Sequence, residues 1–305
     1  MAAWQDNPHA QQGPDGACVG QPGVDRLVAL LDLERIEDNI FRGVSPPESP
    51  VRVFGGQVAG QALVAAGRTV PPERKVHSLH AYFIRPGDPR VPIVYEVDRI
   101  RDGRSFTTRR VVAIQHGKAI FSLAASFQLP EQGLEHADAM PVVPPPEQLD
   151  DLASWVRRSG VTQSAVTRVR LPFDLRYVTP PVWSGVRERA QPGDHEQLWI
   201  RADGRLPDDG LLHVCVLAYA SDLTLLSSVA APHGRALDEG LMAASLDHAM
   251  WFHRPFPADQ WVLCDCTSST ATGGGDWQRR SSSAGMGGWS LPRCRKACCG
   301  SSASG

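Results

Sequence analysis

The 305-residue chain has no excess of either charge: 31 Lys+Arg against 33 Asp+Glu leave a formal charge of -2. That balance gives no electrostatic footprint for DNA or RNA, and no nucleic-acid partner is expected. The chain also lacks a run of about 18 uncharged apolar residues, the length that a membrane-crossing helix needs. Its longest apolar stretch, Leu211 to Ala220, contains His213, so no membrane span is expected. The N-terminus has Asp6, His9 and Asp15 among Gly, Pro and Gln, where a secretory signal would have a basic segment and an apolar core. A cytoplasmic location is therefore expected. No serine stands in a G-x-S-x-G elbow and no Gly-Lys-Ser/Thr follows a glycine loop, which excludes a nucleophile-elbow hydrolase and a P-loop.

Cysteine is sparse until the C-terminus. Cys18 and Cys215 stand alone, while Cys264, Cys266, Cys294, Cys298 and Cys299 fall within the last 42 residues. Their C-x-C and C-x3-C-C spacing matches no zinc pattern of separated pairs, and no His lies nearby. They read as reduced thiols, and neither a metal nor a cofactor is expected.

Apolar residues make up 42% of the chain and charged residues 21%, ordinary globular usage, and the length predicts two domains. Residues 1–23, rich in Gly, Pro, Gln and Asp, read as a flexible leader. Leu27, Leu30, Leu31 and Leu33 to Phe41 predict a short amphipathic helix. After Phe54-Gly55-Gly56-Gln57, the segment Val58 to Ala66 is small and apolar on nearly every face, which predicts a helix buried all round.

A β meander follows over Val76 to Ile84, Val91 to Ile100, Ser105 to Gln115 and Ala119 to Gln128, with Asp102-Gly103 and His116-Gly117 as hairpin turns. Pro141 to Pro146 reads as extended linker, within a linker region 136–170 whose 147–170 portion has helical character. Further strands are predicted at Phe173 to Val178, Glu196 to Ala202, Leu211 to Ala220, Ser245 to Phe252 and Trp261 to Cys266, with a short helix opening at Ser221-Asp222.

The two halves look like copies. Ser78-Leu79-His80 to Arg85-Pro86 is similar to Ser245-Leu246-Asp247-His248 to Arg254-Pro255, each with a helix before it and a β-rich segment after it. This predicts an α+β architecture of two tandem helix-on-antiparallel-sheet units, over 24–135 and 171–272. The duplication calls for two more strands after Cys266, yet residues 273–305 hold 8 Gly and 7 Ser among 33 and no Val, Ile, Phe, Tyr or Thr. That composition does not supply strands, so the second unit is expected to be incomplete and the tail disordered.

Several residues could carry chemistry. Gly55 and Gly56 precede a buried helix, where free N–H groups can bind an anion or polarise a carbonyl oxygen; on this motif alone a tight loop entering a helix is the plainer reading. Asp222 could orient or deprotonate a water, or simply cap a helix. Ser245 opens a strand. His77, His80, His248 and His253 read as packed or surface histidines.

Taken together, Phe54 to Leu63, His77 to Asp88, Tyr219-Ala220-Ser221-Asp222 and Ser245 to Phe256 resemble the acyl-CoA thioesterase II family over roughly residues 25–270. The resemblance implies a double hotdog fold and a place in fatty acid metabolism, with fatty acyl-CoA hydrolysed to free acid and CoA without a metal, cofactor or covalent intermediate. It implies that Asp222 and Ser245 are two of the three polar residues that hold the attacking water, and that Gly55, Gly56 and Gln57 contact the acyl-CoA substrate. A homo-oligomer is expected.

The family's third residue, a Gln in a segment like Val-Gln-Glu-Gly, is missing. A shifted reading frame offers it. Trp277 then becomes Leu, Gln278 becomes Ala and Gly287 remains Gly by the code alone, and 294–300 can read Val-Gln-Glu-Gly-Leu-Leu-Arg. A frameshift near residues 270–275 is the expectation, with a catalytically impaired acyl-CoA-binding or assembly module as the alternative function for the chain as written.

Overall fold

The computed structural model describes residues 20–46, 52–137, 139–160, 171–184, 195–231 and 244–268. Helix α1 (Gly20–Leu31) buries Val24, Leu27 and Leu31. It begins inside the expected leader: the Gly20 N–H donates to Asp203 at 2.5 Å and Gln21 bonds Arg205, so residues 20–23 are tied to the second half of the chain.

The helix predicted to run on to Phe41 ends at Leu31. Strands β1 (Glu34–Glu37) and β2 (Ile40–Gly43) follow it, joined by a turn at Asp38-Asn39. Asp and Asn favour turns, and Phe41 and Gly43 go inside while Arg42 goes out, a period of two that outcompetes the leucine spacing.

Helix α2 (Gly55–Gly67) is the centre of the fold, and every residue from Gly56 to Gly67 is buried. The meander wraps it as predicted, with β3 (Lys75–Phe83), β4 (Ile93–Asp102), β5 (Phe106–Gln115) and β6 (Lys118–Gln128). The β5–β6 turn has both His116 (φ 50°) and Gly117 (φ 69°) in the left-handed region, the two-residue hairpin geometry that matches strand twist. Inside the unit, Gln61 on α2 donates to Leu30 O (2.7 Å) and accepts from the Tyr95 hydroxyl (2.7 Å), which ties α1 and β4 to the helix. Arg109, fully buried on β5, clamps Thr69 and Asp102.

Within the expected linker, α3 (Leu152–Ser159) is a capped helix, its Asp151 carboxylate accepting from the Ser154 N–H. Strands β7 (Phe173–Tyr177) and β8 (His195–Ala202) come next, and then the largest departure from the sequence reading. Leu211 to Ala220, predicted as a strand, is helix α4 (Gly210–Ser221). A short apolar run satisfies a buried strand and a buried helix alike, and the Asp209 carboxylate, accepting from the Leu211 and Leu212 N–H groups, starts the helix.

Asp222 consequently sits at the C-terminal cap of α4, and α5 (Leu225–Ala230) begins only after Thr224. The span Gly210–Val229 is long and apolar enough by composition to cross a membrane, but it contains His213 and Asp222 and so is not the uncharged run that the sequence lacks. It is broken into two helices at 222–224, and α4 packs on α2.

Strands β9 (Asp247–Trp251) and β10 (Val262–Thr267) complete the described residues. The first sheet runs β1-β2-β4-β5-β6-β3-β9 and the second β10-β8-β7, with every pairing antiparallel. The elements β7, β8, α4, β9 and β10 therefore repeat β1, β2, α2, β3 and β4, and this is a double hotdog. The predicted repeat strands pair with each other, His80 opposite Ala249. In the first unit β5 and β6 lie between β4 and β3. Their counterparts would follow Ser268 and fall outside the described residues, as does the whole segment 273–305.

The α2 and α4 helices run antiparallel at backbone contact. A Cβ on Gly56 would stand 2.2 Å from the Tyr219 carbonyl oxygen, and one on Gly60 would stand 3.2 Å from that of Cys215. Gly56→Ala should accordingly destabilise the fold by about 1–3 kcal/mol, because the obstructing atom is main chain. A fall in the urea midpoint at unchanged slope is the expected observation.

Candidate active site

The helix contact decides where the polar groups meet. Phe54, at the N-cap of α2, has no side chain that can satisfy the first-turn amides. Asp222 does so from the other helix: its carboxylate accepts from the Gly56 N–H and, through Oδ1 at 2.7 Å, from the Ser245 hydroxyl. A carboxylate is disfavoured at the C-terminal end of its own helix and favoured at the N-terminus of another, so α2 supplies the stabilising dipole. The predicted helix N-terminal placement of Asp222 is thus corrected in its helix. The electrostatic reason behind that prediction still applies.

Burial pushes the Asp222 carboxyl up to about 6, against the opposing pull of the Ser245 and Gly56 hydrogen bonds and the Arg52 charge. An acid that titrates just below neutrality beside a hydroxyl can orient a water molecule and take its proton.

Of the residues singled out from sequence, Asp222, Ser245, Gly55 and Gly56 converge here. Gly55 is required by close approach: a Cβ would lie 2.5 Å from Asp222 Oδ2 and 2.8 Å from the Phe83 ring. Gln57 is buried, and its Nε2 donates to Val44 O (3.1 Å) and Ser45 Oγ (3.0 Å), which fastens the loop after β2 to α2. Around the polar group, Phe54 meets Tyr219 edge-on at 5.0 Å and Phe83 meets Phe121 at 5.0 Å, forming an apolar wall.

The histidines divide. His80 lies on the outer sheet face against Trp251, and His77 bonds Ser126. His253 is exposed, whereas His248 is buried and meets Ser221. Sequence reasoning missed Arg52 and Ser221. Arg52 had a signal: a cation just ahead of a helix N-terminus opposes the dipole and calls for a nearby anion.

Known proteins are similar to this chain in sequence and fold. Sequence profiles described as Acyl-CoA thioesterase N-terminal domain and Acyl-CoA thioesterase match residues 45–128 and 176–279. Mouse acyl-coenzyme A thioesterase 8 is 41% identical over 261 residues, covering 81% of this chain and 80% of its own length. The chain belongs to the acyl-CoA thioesterase II family. Acyl-CoA thioesterase 2 of Haemophilus influenzae is 39% identical over 258 residues, covering 82% of this chain and 88% of its own. The crystal structure of an acyl-CoA thioesterase II from Mycobacterium marinum aligns with TM-score 0.65 at 46% identity, over 80% of this chain and 86% of that one. A hot dog fold protein from Alicyclobacillus acidocaldarius, at 20% identity and TM-score 0.64, shares the fold.

The raised Asp222 carboxyl has a consequence for stability. Its folded-state pKa lies above the unfolded one, so ionisation costs stability as pH rises from about 4 through about 6. Asp222→Asn should therefore raise the melting temperature at pH about 7 or above, with the gain shrinking toward pH about 4. Melting curves of both proteins across that range check it.

Proposed function

We propose that this member of the family hydrolyses fatty acyl-CoA to free fatty acid and CoA with a water held by Asp222 and Ser245. The supporting observation is the Ser245–Asp222 hydrogen bond at 2.7 Å, formed where the carboxylate caps α2. The water oxygen attacks the thioester carbonyl carbon while Asp222 takes a proton. The first-turn amides of α2 not used by Asp222 stabilise the oxyanion, and collapse breaks the C–S bond, with the proton passing to the CoA thiolate. Gly55 and Gly56 let the acyl-CoA approach the helix end, and Gln57 holds the loop beside it.

The third water-holding residue, the Gln, belongs in our reading to the other reading frame of the tail. The match to the Acyl-CoA thioesterase profile stops at residue 279, within the region where composition changes. A frameshift near residues 270–275 would account both for a tail composition that does not supply the strands the duplication calls for and for the missing Gln. The second reading, an impaired acyl-CoA-binding or assembly module, is favoured for the chain as written by that same missing Gln. A cytoplasmic location fits the free thiol of Cys215, and homo-oligomer formation fits the exposed Tyr82, Trp251 and Phe106.

Thiol release from acyl-CoA should be slow with the 305-residue chain and at least about 100-fold faster after the frame is restored. Equal rates would remove the frameshift account, and tight binding without release would favour the second reading. In the restored chain, Asp222→Asn should cut turnover about 100-fold or more with the fold intact, and the rate should rise with pH through a midpoint near 6.

A further inference from the structure

The segment containing β9 grips the end of α4 at two consecutive residues. Ser245 bonds Asp222, and His248 bonds Ser221, the residue just before it, with Nε2 3.0 Å from Oγ. The Ser221 oxygen also lies 2.9 Å from the Ala218 carbonyl one turn back, an acceptor only, and 3.6 Å from Met250 Sδ, a weak acceptor, so its single proton goes to the carbonyl. The hydrogen between Ser221 and His248 is therefore carried by Nε2, and Nδ1 is the unprotonated nitrogen.

That Nδ1 is buried and has no hydrogen-bond partner, in a side chain only 3% exposed. A buried nitrogen without a partner is a cost that an aliphatic side chain of similar size would avoid, so the imidazole's Nε2–H is the part of it that matters. Its direction is fixed by the sheet, since His248 stands opposite Ala81 in the β3–β9 ladder.

We infer that His248 is a positioning residue for Asp222, acting through Ser221 to lock the last turn of α4 so that the carboxylate stays beneath the Gly56 amide and against Ser245. The inference rests on the reading of Asp222 as the water-holding carboxylate. Burial keeps the imidazole neutral, holding its titration down near 4, so the lock is closed across the neutral range. The groups acting on Asp222 are the Gly56 amide and Arg52 on the α2 side and Ser245 ahead of β9.

The test does not depend on turnover. In the full chain labelled with [γ-13C]aspartate, the Asp222 signal, assigned by its loss in Asp222→Asn, should titrate near 6. His248→Leu and Ser221→Ala should each move that midpoint further up by the same amount, because the Gly56 and Ser245 hydrogen bonds that pull it down are loosened. The double variant should move it no further, because the two act through one contact. His248→Gln, whose amide nitrogen reaches the position of Nε2, should restore the original midpoint.

An unchanged midpoint in folded Ser221→Ala, or additive shifts in the double variant, overturns the inference. If His248→Leu does not fold, Ser221→Ala decides, since it removes one oxygen atom. In the frame-restored chain Ser221→Ala should lower kcat and leave KM unchanged. An intact NMR response with no turnover in any form would instead overturn the catalytic reading of the site.

Discussion

Main-chain contact between α2 and α4 is the constraint from which the rest of the architecture follows. Gly56 and Gly60, one turn apart on α2, admit the carbonyls of Tyr219 and Cys215, the first at a distance that no side chain would allow and the second at one that would crowd a Cβ. Two apolar helices at that separation exclude water along their length and carry the units that surround them. The same contact brings the amide end of one helix to the carbonyl end of the other. A carboxylate at the junction then finds a favourable dipole, a hydroxyl and a low-polarity surrounding together, which is why its proton affinity is raised without the loss of its partners.

Duplication would allow two such junctions, and the described residues form one. At the opposite end of the helix pair, a Cβ on Gly67 would meet the Leu211 side chain at 2.4 Å, so an aliphatic group occupies the crossing there. Asp209, the carboxylate nearby in sequence, caps its own helix through Leu211 and Leu212. One end of the pair is thus packed for stability and the other is left polar.

Most of the first unit was legible in the sequence because its signals were redundant. The meander had alternation, β-branched residues and turn dipeptides that agreed, and α2 was too small and apolar to be anything but a buried helix. The second unit was harder for a physical reason. Leu211 to Ala220 is apolar on all sides, so periodicity carries no information, and only Asp209 marked a helix start. Asp222 and Ser245 were found by their resemblance to a family, and their contact with Gly56 was not readable, because it joins residues of two helices whose crossing depends on hydrogen atoms at glycine positions. His248 reads from sequence only as a packed or surface histidine, and its bond to Ser221 stayed hidden because a buried serine–histidine pair has no spacing signature.

The pairing of β3 with β9 bears on how the chain reaches this state. Ser78 lies opposite Trp251, so the edge of the first sheet is closed by residues made long after the rest of that sheet. During synthesis the N-terminal unit can assemble its helix and meander locally, but the open rim of β3 stays available for pairing until the second half emerges. Loop closure over that separation is slow compared with hairpin formation, and during the wait an identical rim on a neighbouring nascent chain is a competing partner. The join that makes the two halves one molecule is also the step at which chains are most exposed to sticking to each other.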